Sequence, residues 1–260
     1  MEKAKILAVI SKDLSDAFSS PEIYGPMIGI PLFFAILLPA FTVYISRYAG
    51  TVIAAKLLGL ENVPIGNSNG LAFILYFSIN ILGPIFLTMP IITSSVIAAD
   101  CFVGEKESKT AESLLTAPIT KEELFTGKIL ASAIPAFAIT IAVFLIFGGI
   151  INYFTNQYYH AFVFPNIDWY LTLLDSPALI MATIGLVVIV SSKVKSIKAA
   201  QQISALIALP IFTIPFVSVF ALVSLSPIFF IYLFLVLIGV AFIVIYSGIK
   251  SFNREKLVSS

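Results

Sequence analysis

Five long stretches of this sequence, 26–46, 71–99, 129–151, 199–225 and 227–249, contain no Asp, Glu, Lys, Arg or His. A hydrocarbon layer about 30 Å thick takes about 20 helical residues to cross, and only a helix or a closed barrel satisfies its own backbone hydrogen bonds there. Each stretch is long enough. A sixth, 177–192, is apolar but short, so its helix is expected to begin in the preceding turn or to thin the bilayer locally. The expected fold class is therefore an all-α integral membrane protein with six transmembrane helices, at about 26–46, 71–99, 129–151, 177–192, 199–225 and 227–249, forming a single domain over 1–260.

Composition agrees, since 59% of the 260 residues are hydrophobic and 11% charged, against about a quarter charged in soluble domains. A net charge of +1 gives no basic excess for phosphate-driven nucleic-acid binding. With one cysteine, Cys101, and one histidine, His160, neither a disulfide framework nor a Cys/His zinc site is expected. Lys3 and Lys5 precede only a few apolar residues before Lys12, Asp13 and Asp16, which does not read as a cleaved signal peptide.

Lys and Arg near the ends of spans are retained on the cytoplasmic side. With the N-terminus inside and six spans, Lys3, Lys5 and Lys12, then Lys106, Lys109, Lys121 and Lys128, then Lys193, Lys195 and Lys198, and finally Lys250, Arg254 and Lys256 all fall on that side. Of the fifteen Lys and Arg residues, Arg47 and Lys56 remain outside. Without the 177–192 span, the Lys193 cluster would fall on the wrong side. Both termini are thus expected in the cytoplasm.

Ahead of the first span, Ile6, Leu7, Ile10, Leu14, Ala17 and Phe18 recur at helical spacing, with Lys5, Lys12, Asp16 and Ser19 around the opposite face. This pattern predicts an amphipathic helix within 1–22, lying in the interface or packed on the rest of the protein. Between 152 and 176, Tyr153, Phe154, Tyr158, Tyr159, Phe162, Phe164, Trp169 and Tyr170 read as anchors at headgroup level, with His160 a surface residue among them. Pro84, Pro90, Pro210 and Pro215 are each expected to kink or break a helix, and the 210–227 segment fits either a span or a span followed by a re-entrant turn.

A pump coupled to protons or ions generally carries ionisable groups at membrane depth, and the six stretches hold none. Asn80, Gln201 and Gln202 read as helix-to-helix hydrogen bonds. There is no catalytic triad pattern, no HExxH and no G-x-x-x-x-G-K-[ST] loop, so no catalytic, metal or cofactor site is expected and energy for uphill movement must come from a partner. Charge gathers instead in the 100–128 loop. Glu105 and Lys109 form an i,i+4 pair, Glu112 continues that face, and Ala111, Leu114 and Leu115 form an apolar edge, which predicts a short helix ending before Pro118. Thr120 and Glu123 form a capping box for a second helix, with Ile119 placed to staple onto Leu124, and that helix is expected to run into the third span. By spacing alone the loop is either a solvated connector or a docking element.

The run Gly104-Glu105-Lys106-Glu107, Thr110, Glu112, Leu114-Leu115, Pro118-Ile119, followed by Glu123-Leu124 and Gly127-Lys128, resembles the signature of type-2 ATP-binding-cassette permeases, the membrane subunits of many prokaryotic exporters. In that family the motif lies between the second and third of six spans, as here. Lys12-Asp13-Leu14 also matches the family's interfacial helix. The resemblance implies a permease that pairs with a second, identical or different, permease and with two copies of a separate cytoplasmic ATPase, which binds the ATP and Mg. It further implies that Glu105, Glu107, Thr110, Glu112, Leu114 and Leu115 lie on the coupling helix seated in the ATPase, with Pro118 fixing the turn out of it. The substrate stays open. A membrane scaffold that recruits a partner through 104–118, or a passive channel, are the competing readings.

Overall fold

A computed structural model describes residues 3–48, 67–104, 107, 119–191, 193–194, 196–207, 209–211, 213–214 and 225–251. Among these residues there is helix and no strand. Five helices are long and apolar enough to cross a membrane: α2 (Pro21–Arg47), α3 (Gly70–Gly104), α4 (Lys121–Tyr159), α5 (Ile167–Ser191) and α7 (Pro227–Gly248). They are preceded by α1 (Lys3–Ser19), and the short α6 (Ile197–Ser204) lies between α5 and α7. Of the expected span at 199–225, residues 199–207, 209–211, 213–214 and 225 are described, whereas most of the undecided 210–227 segment lies outside the described residues.

Proline and helix register explain the shape of the spans. Pro31 has no N–H to return to the carbonyl of Met27, and there α2 widens into a π-helical turn, Gly25–Gly29. The Thr93 hydroxyl of α3, which donates to Met89 O at 2.9 Å, also lies 3.4 Å from that Met27 carbonyl. In α3 the ring of Pro84 would clash with the carbonyl of Asn80 in an α-helix, and a second π turn, Ser78–Leu82, covers that residue. Pro84 and Pro90 therefore dislocate α3 without ending it. Asn80 has two roles: its Nδ2 donates to Tyr76 O within α3 at 2.8 Å, and its Oδ1 accepts from the Leu225 N–H at 2.6 Å, tying α3 to the start of α7.

α4 begins with the capping box expected from Thr120 and Glu123. Glu123 N donates to Thr120 Oγ1 at 3.2 Å and Thr120 N to Glu123 Oε2 at 3.1 Å. The helix then runs unbroken for 39 residues, about 58 Å at 1.5 Å per residue. That is far more than the hydrocarbon layer needs, so α4 carries its first turns well beyond it. Exposed His160 closes the helix in the left-handed conformation, at φ 52°.

Three sequence expectations need correction. The aromatic run at 152–176 is mostly helix and only partly a surface belt: Tyr153, Phe162 and Tyr170 are exposed, whereas Trp169 and Phe164 are buried. Trp169 packs on Phe86, Phe144, Phe147 and Phe164 at centroid distances of 5.7, 6.3, 4.8 and 5.0 Å. Phe164 lies over Gly148, where a Cβ would clash with its ring. In α1 the buried stripe is Val9, Asp13 and Ala17, so a carboxylate lies on the face turned to the protein, while Leu7 and Phe18 are exposed, as a helix lying in the interface would leave them.

The third concerns ionisable groups within spans. α5 starts at Ile167, ahead of the apolar run at 177, and so takes Asp168 and Asp175 into the helix. Asp175 is fully buried, and among the described residues neither of its carboxyl oxygens has a hydrogen-bond partner. An ionised carboxylate there would carry a desolvation cost of several kcal/mol with nothing among these residues to offset it. Replacing it by isosteric, neutral Asn is expected to leave the thermal unfolding midpoint in detergent unchanged or to raise stability by up to about 2 kcal/mol. Asp175→Lys, a larger side chain with an unpaired charge, is expected to abolish folding.

Candidate functional site

At the α1 end of the molecule, α1, the last turn of α3 and the first turns of α4 converge around one buried cation. Lys128 sits on the second turn of α4 and is 1% exposed. Its Nζ lies 3.7 Å from Asp13 Oδ2 on α1, donates to the Cys101 carbonyl in the π-helical last turn of α3, and stands 5.9 Å from the centroid of the Phe102 ring. Asp13 is itself 5% exposed. The Lys128 carbonyl accepts from Ser132 Oγ at 2.9 Å.

Close packing holds α1 in place for this contact. A Cβ at Gly127 would lie 2.8 Å from Val9 Cγ1, so only glycine lets α1 approach α4 this closely. Val9, Asp13 and Ala17 recur at four-residue intervals and form the face that α1 turns inward. Lys12-Asp13-Leu14 and Gly127-Lys128, two parts of the sequence signature far apart in the chain, thus meet in one contact.

Beside this lock opens a cleft of about 650 Å³ lined by Lys12, Asp13, Asp16, Glu22, Asp100, Glu107, Lys198 and Gln201. Carboxylates outnumber cations around it. Among the described residues, no group of three or more His, Cys, Asp or Glu is placed to hold a metal ion.

Of the residues that the sequence assigns to coupling, Glu107 is described, whereas Glu105, Thr110, Glu112, Leu114, Leu115 and Pro118 lie outside the described residues. Glu107 Oε2 accepts from the Ile197 N–H, the first of α6, at 2.8 Å. The neighbouring Ser196 is extended and makes no side-chain cap of its own, so a carboxylate from the other segment takes that role at the positive end of the helix. The start of α6 also touches the end of α3: a Cβ at Gly104 would lie 3.6 Å from Ile197 Cδ1 and 2.8 Å from Asp100 Oδ1.

Sequence reasoning counted Lys128 among the cytoplasmic charges and gave Asp13 no partner. The signal was present in the signature itself, because a glycine inside a helix, next to a lysine, marks a place where another element can pack closely enough to bury that lysine.

Breaking a buried pair by removing one partner costs about 3–5 kcal/mol, because the other charge is left uncompensated. Asp13→Asn is expected to lower stability by about that amount in denaturant or thermal unfolding, Lys128→Met by less because Lys12 Nζ stands 3.6 Å from Asp13 Oδ1, and the double variant to recover most of the loss. Additive losses would show that the two side chains do not act as a pair.

Comparison with known families matches residues 7–257 to a family described as ABC-2 family transporter protein. No curated protein and no solved structure matches the chain.

Proposed function

Because the chain belongs to the ABC-2 family of transporter proteins, we propose that it is the membrane permease subunit of an ATP-driven exporter, moved by a separate cytoplasmic ATPase that docks on residues 104–118. ATP and its Mg ion are bound by that partner, and two permeases, identical or different, frame the path for the substrate across the cytoplasmic membrane. The acidic elbow that includes Glu105, Glu107, Thr110, Glu112, Leu114, Leu115 and Pro118 is the contact surface.

The observation that carries this reading is the anchoring of both flanks of the elbow. On one side the last turn of α3 is tied to Lys128 through the Cys101 carbonyl. On the other, the Thr120–Glu123 capping box starts α4 rigidly. Glu107, from the elbow itself, caps α6. The elbow is therefore joined to α3, α4 and α6, and through Lys128 to α1. The distribution of Lys and Arg, with all but Arg47 and Lys56 on one side of the six-span arrangement, supports a cytoplasmic elbow.

Glu112→Lys tests the coupling. The variant is expected to insert normally while losing co-purification with the cognate ATPase and at least about tenfold of the transport-linked ATP hydrolysis, equivalent to about 1.4 kcal/mol. Unchanged coupling would remove the elbow from the mechanism.

Sidedness is tested separately. Cys101 is buried and is a poor reporter, so exposed positions serve instead, in a Cys101→Ser background: Glu122→Cys and Tyr153→Cys. A membrane-impermeant maleimide added to intact cells is expected to label Tyr153→Cys and to reach Glu122→Cys only after permeabilisation. The reverse pattern would place the elbow outside the cell.

A further inference from the structure

The carboxyl of Asp175 is drawn into the bundle with nothing among the described residues to pair with it. It lies eight residues after Ile167, the first residue of α5, about 12 Å along the helix at 1.5 Å per residue. That is inside a hydrocarbon layer about 30 Å thick. Both carboxyl oxygens are shut off from solvent and without a hydrogen-bond partner, so neither a water nor a metal ion has room beside them. Nor does the sequence offer a counter-charge at that depth. The elements packed on α5 are α3, α4, α6 and α7. Residues 67–104, 129–159, 161–192 and 199–249 contain no Lys, Arg or His, and besides Asp175 their carboxylates are Asp168 and Asp100. The other titratable groups in those ranges are tyrosines and Cys101. The charges of the packed elements, Asp100, Lys121, Glu122, Glu123, Lys128 and Lys198, lie at the α1 end, towards which α5 runs for about 24 Å beyond Asp175.

A carboxylate ion in such a place is strongly disfavoured, and binding one proton removes its charge. A proton is also a cation that needs no cavity. The helix provides it with a route. Asp168, Thr172 and Asp175 follow one another at intervals of four and three residues and share a face of α5. Asp168 is half-buried near the Ile167 end, and its Oδ1 likewise has no hydrogen-bond partner among the described residues. Thr172 is fully buried between the two carboxyls. Its hydroxyl donates to Asp168 O at 2.8 Å and keeps its lone pairs for an incoming donor. Beyond Asp175 the same face continues with Leu179 and Ala182. It is polar from the Ile167 end as far as Asp175 and apolar from there on.

We propose that Asp175 is a proton-binding site, loaded in this arrangement of the helices and exchanging with the Ile167 side of the membrane along the face that carries Asp168 and Thr172. On release the carboxyl O–H bond breaks, its electron pair stays on the carboxylate, and the proton leaves on water admitted along that face. Ionisable groups at membrane depth serve characteristically in ion pathways and proton relays. Proton binding at Asp175 does not depend on the proposed exporter function. On that reading the Ile167 end is external, and a step of the cycle that wets this face of α5 releases a proton to that side.

The test uses the purified full chain in detergent. Infrared spectra of wild type above the ordinary carboxylate range are expected to show a protonated carboxyl whose C=O stretch shifts in D2O, and Asp175→Asn is expected to lose that band. Asp175→Glu, which keeps the acid, is expected to move the band, so the assignment is decided even where Asp175→Asn does not fold. Stability reads the same proton independently. A carboxyl that holds its proton when folded and loses it when unfolded makes the protein less stable as pH rises. Between about pH 5 and about pH 6, the unfolding constant of wild type is expected to rise about tenfold relative to that of Asp175→Asn, a comparison that subtracts the titration of all other groups. Thr172→Val and Asp168→Asn are expected to keep the band but to slow its hydrogen–deuterium exchange at least about tenfold, since a positioned proton-transfer group accelerates transfer by that much or more. A wild type without the band, a band that survives in Asp175→Asn or stays in place in Asp175→Glu, or equal pH slopes would each overturn proton binding at Asp175. Exchange at the wild-type rate in Thr172→Val or Asp168→Asn would overturn the route.

Discussion

Lys128 is a full-length cationic side chain with almost no contact with solvent, and the groups around it define how one end of the molecule is assembled. Taking an ammonium out of water costs several kcal/mol even after relaxation. That cost is offset only where a carboxylate and a carbonyl stand close enough to replace water, and here Asp13 supplies one and Cys101 the other. The carboxylate comes from α1, the carbonyl from α3 and the ammonium from α4. Three elements must therefore be in place together, or the charge is stranded. Such a pair adds little net stability compared with well-packed apolar residues, but it strongly penalises any arrangement in which one element is displaced.

The spans themselves are less regular than their hydropathy suggests. π turns occur in α2 at Gly25–Gly29 and in α3 at Ser78–Leu82 and Asp100–Gly104. The first two sit beside prolines, whose missing N–H and bulky ring break the α register. Lipid cannot satisfy the carbonyls so released, so the protein must. Thr93 Oγ1 approaches Met27 O at the first, and at the second the attachment is made by a side chain, Asn80 Oδ1 accepting from the Leu225 N–H, and not through a released carbonyl. At the third, the Cys101 carbonyl is taken by Lys128. Each dislocation is thus also a point of attachment between helices. Where the spans are regular, close approach relies on glycine, as at Gly185, where a Cβ would come within 2.8 Å of Val244 on α7.

What could be read from the sequence was what depends on local spacing. The Thr120–Glu123 capping box lies within one turn, and the apolar lengths need only a count, so both were legible. Contacts between distant segments were not. Lys128 looked like one more cytoplasmic charge, because charge counting assigns a side of the membrane and says nothing about burial. Trp169 and Phe164 looked like belt residues, since an aromatic ring suits both a headgroup layer and a core, and only the fold-back of residues 160–166 onto α4 decides. There Asn152 Oδ1 accepts from the N–H groups of Val163 and Phe164 at 3.1 and 2.9 Å. Asp175 ended the apolar run at 177 because a search for uncharged stretches must stop at a carboxylate, although the helix that carries it does not.

The relative strength of the contacts around the elbow indicates which of them yields on the proposed reading. Glu107 capping α6 is an exposed charge at a helix terminus, a kind of contact that contributes about 1 kcal/mol or less and weakens with salt. Separating Lys128 from Asp13 would cost about 3–5 kcal/mol. A docking ATPase that pulls on the elbow would therefore release or remake the Glu107 contact long before it disturbs the lock. α1, α3 and α4 then act as the fixed frame, and α6 is the element free to respond. Because α6 already includes the first residues of the 199–225 apolar stretch, which is a span on the proposed reading, remaking the contact at its first turn would act on that stretch directly.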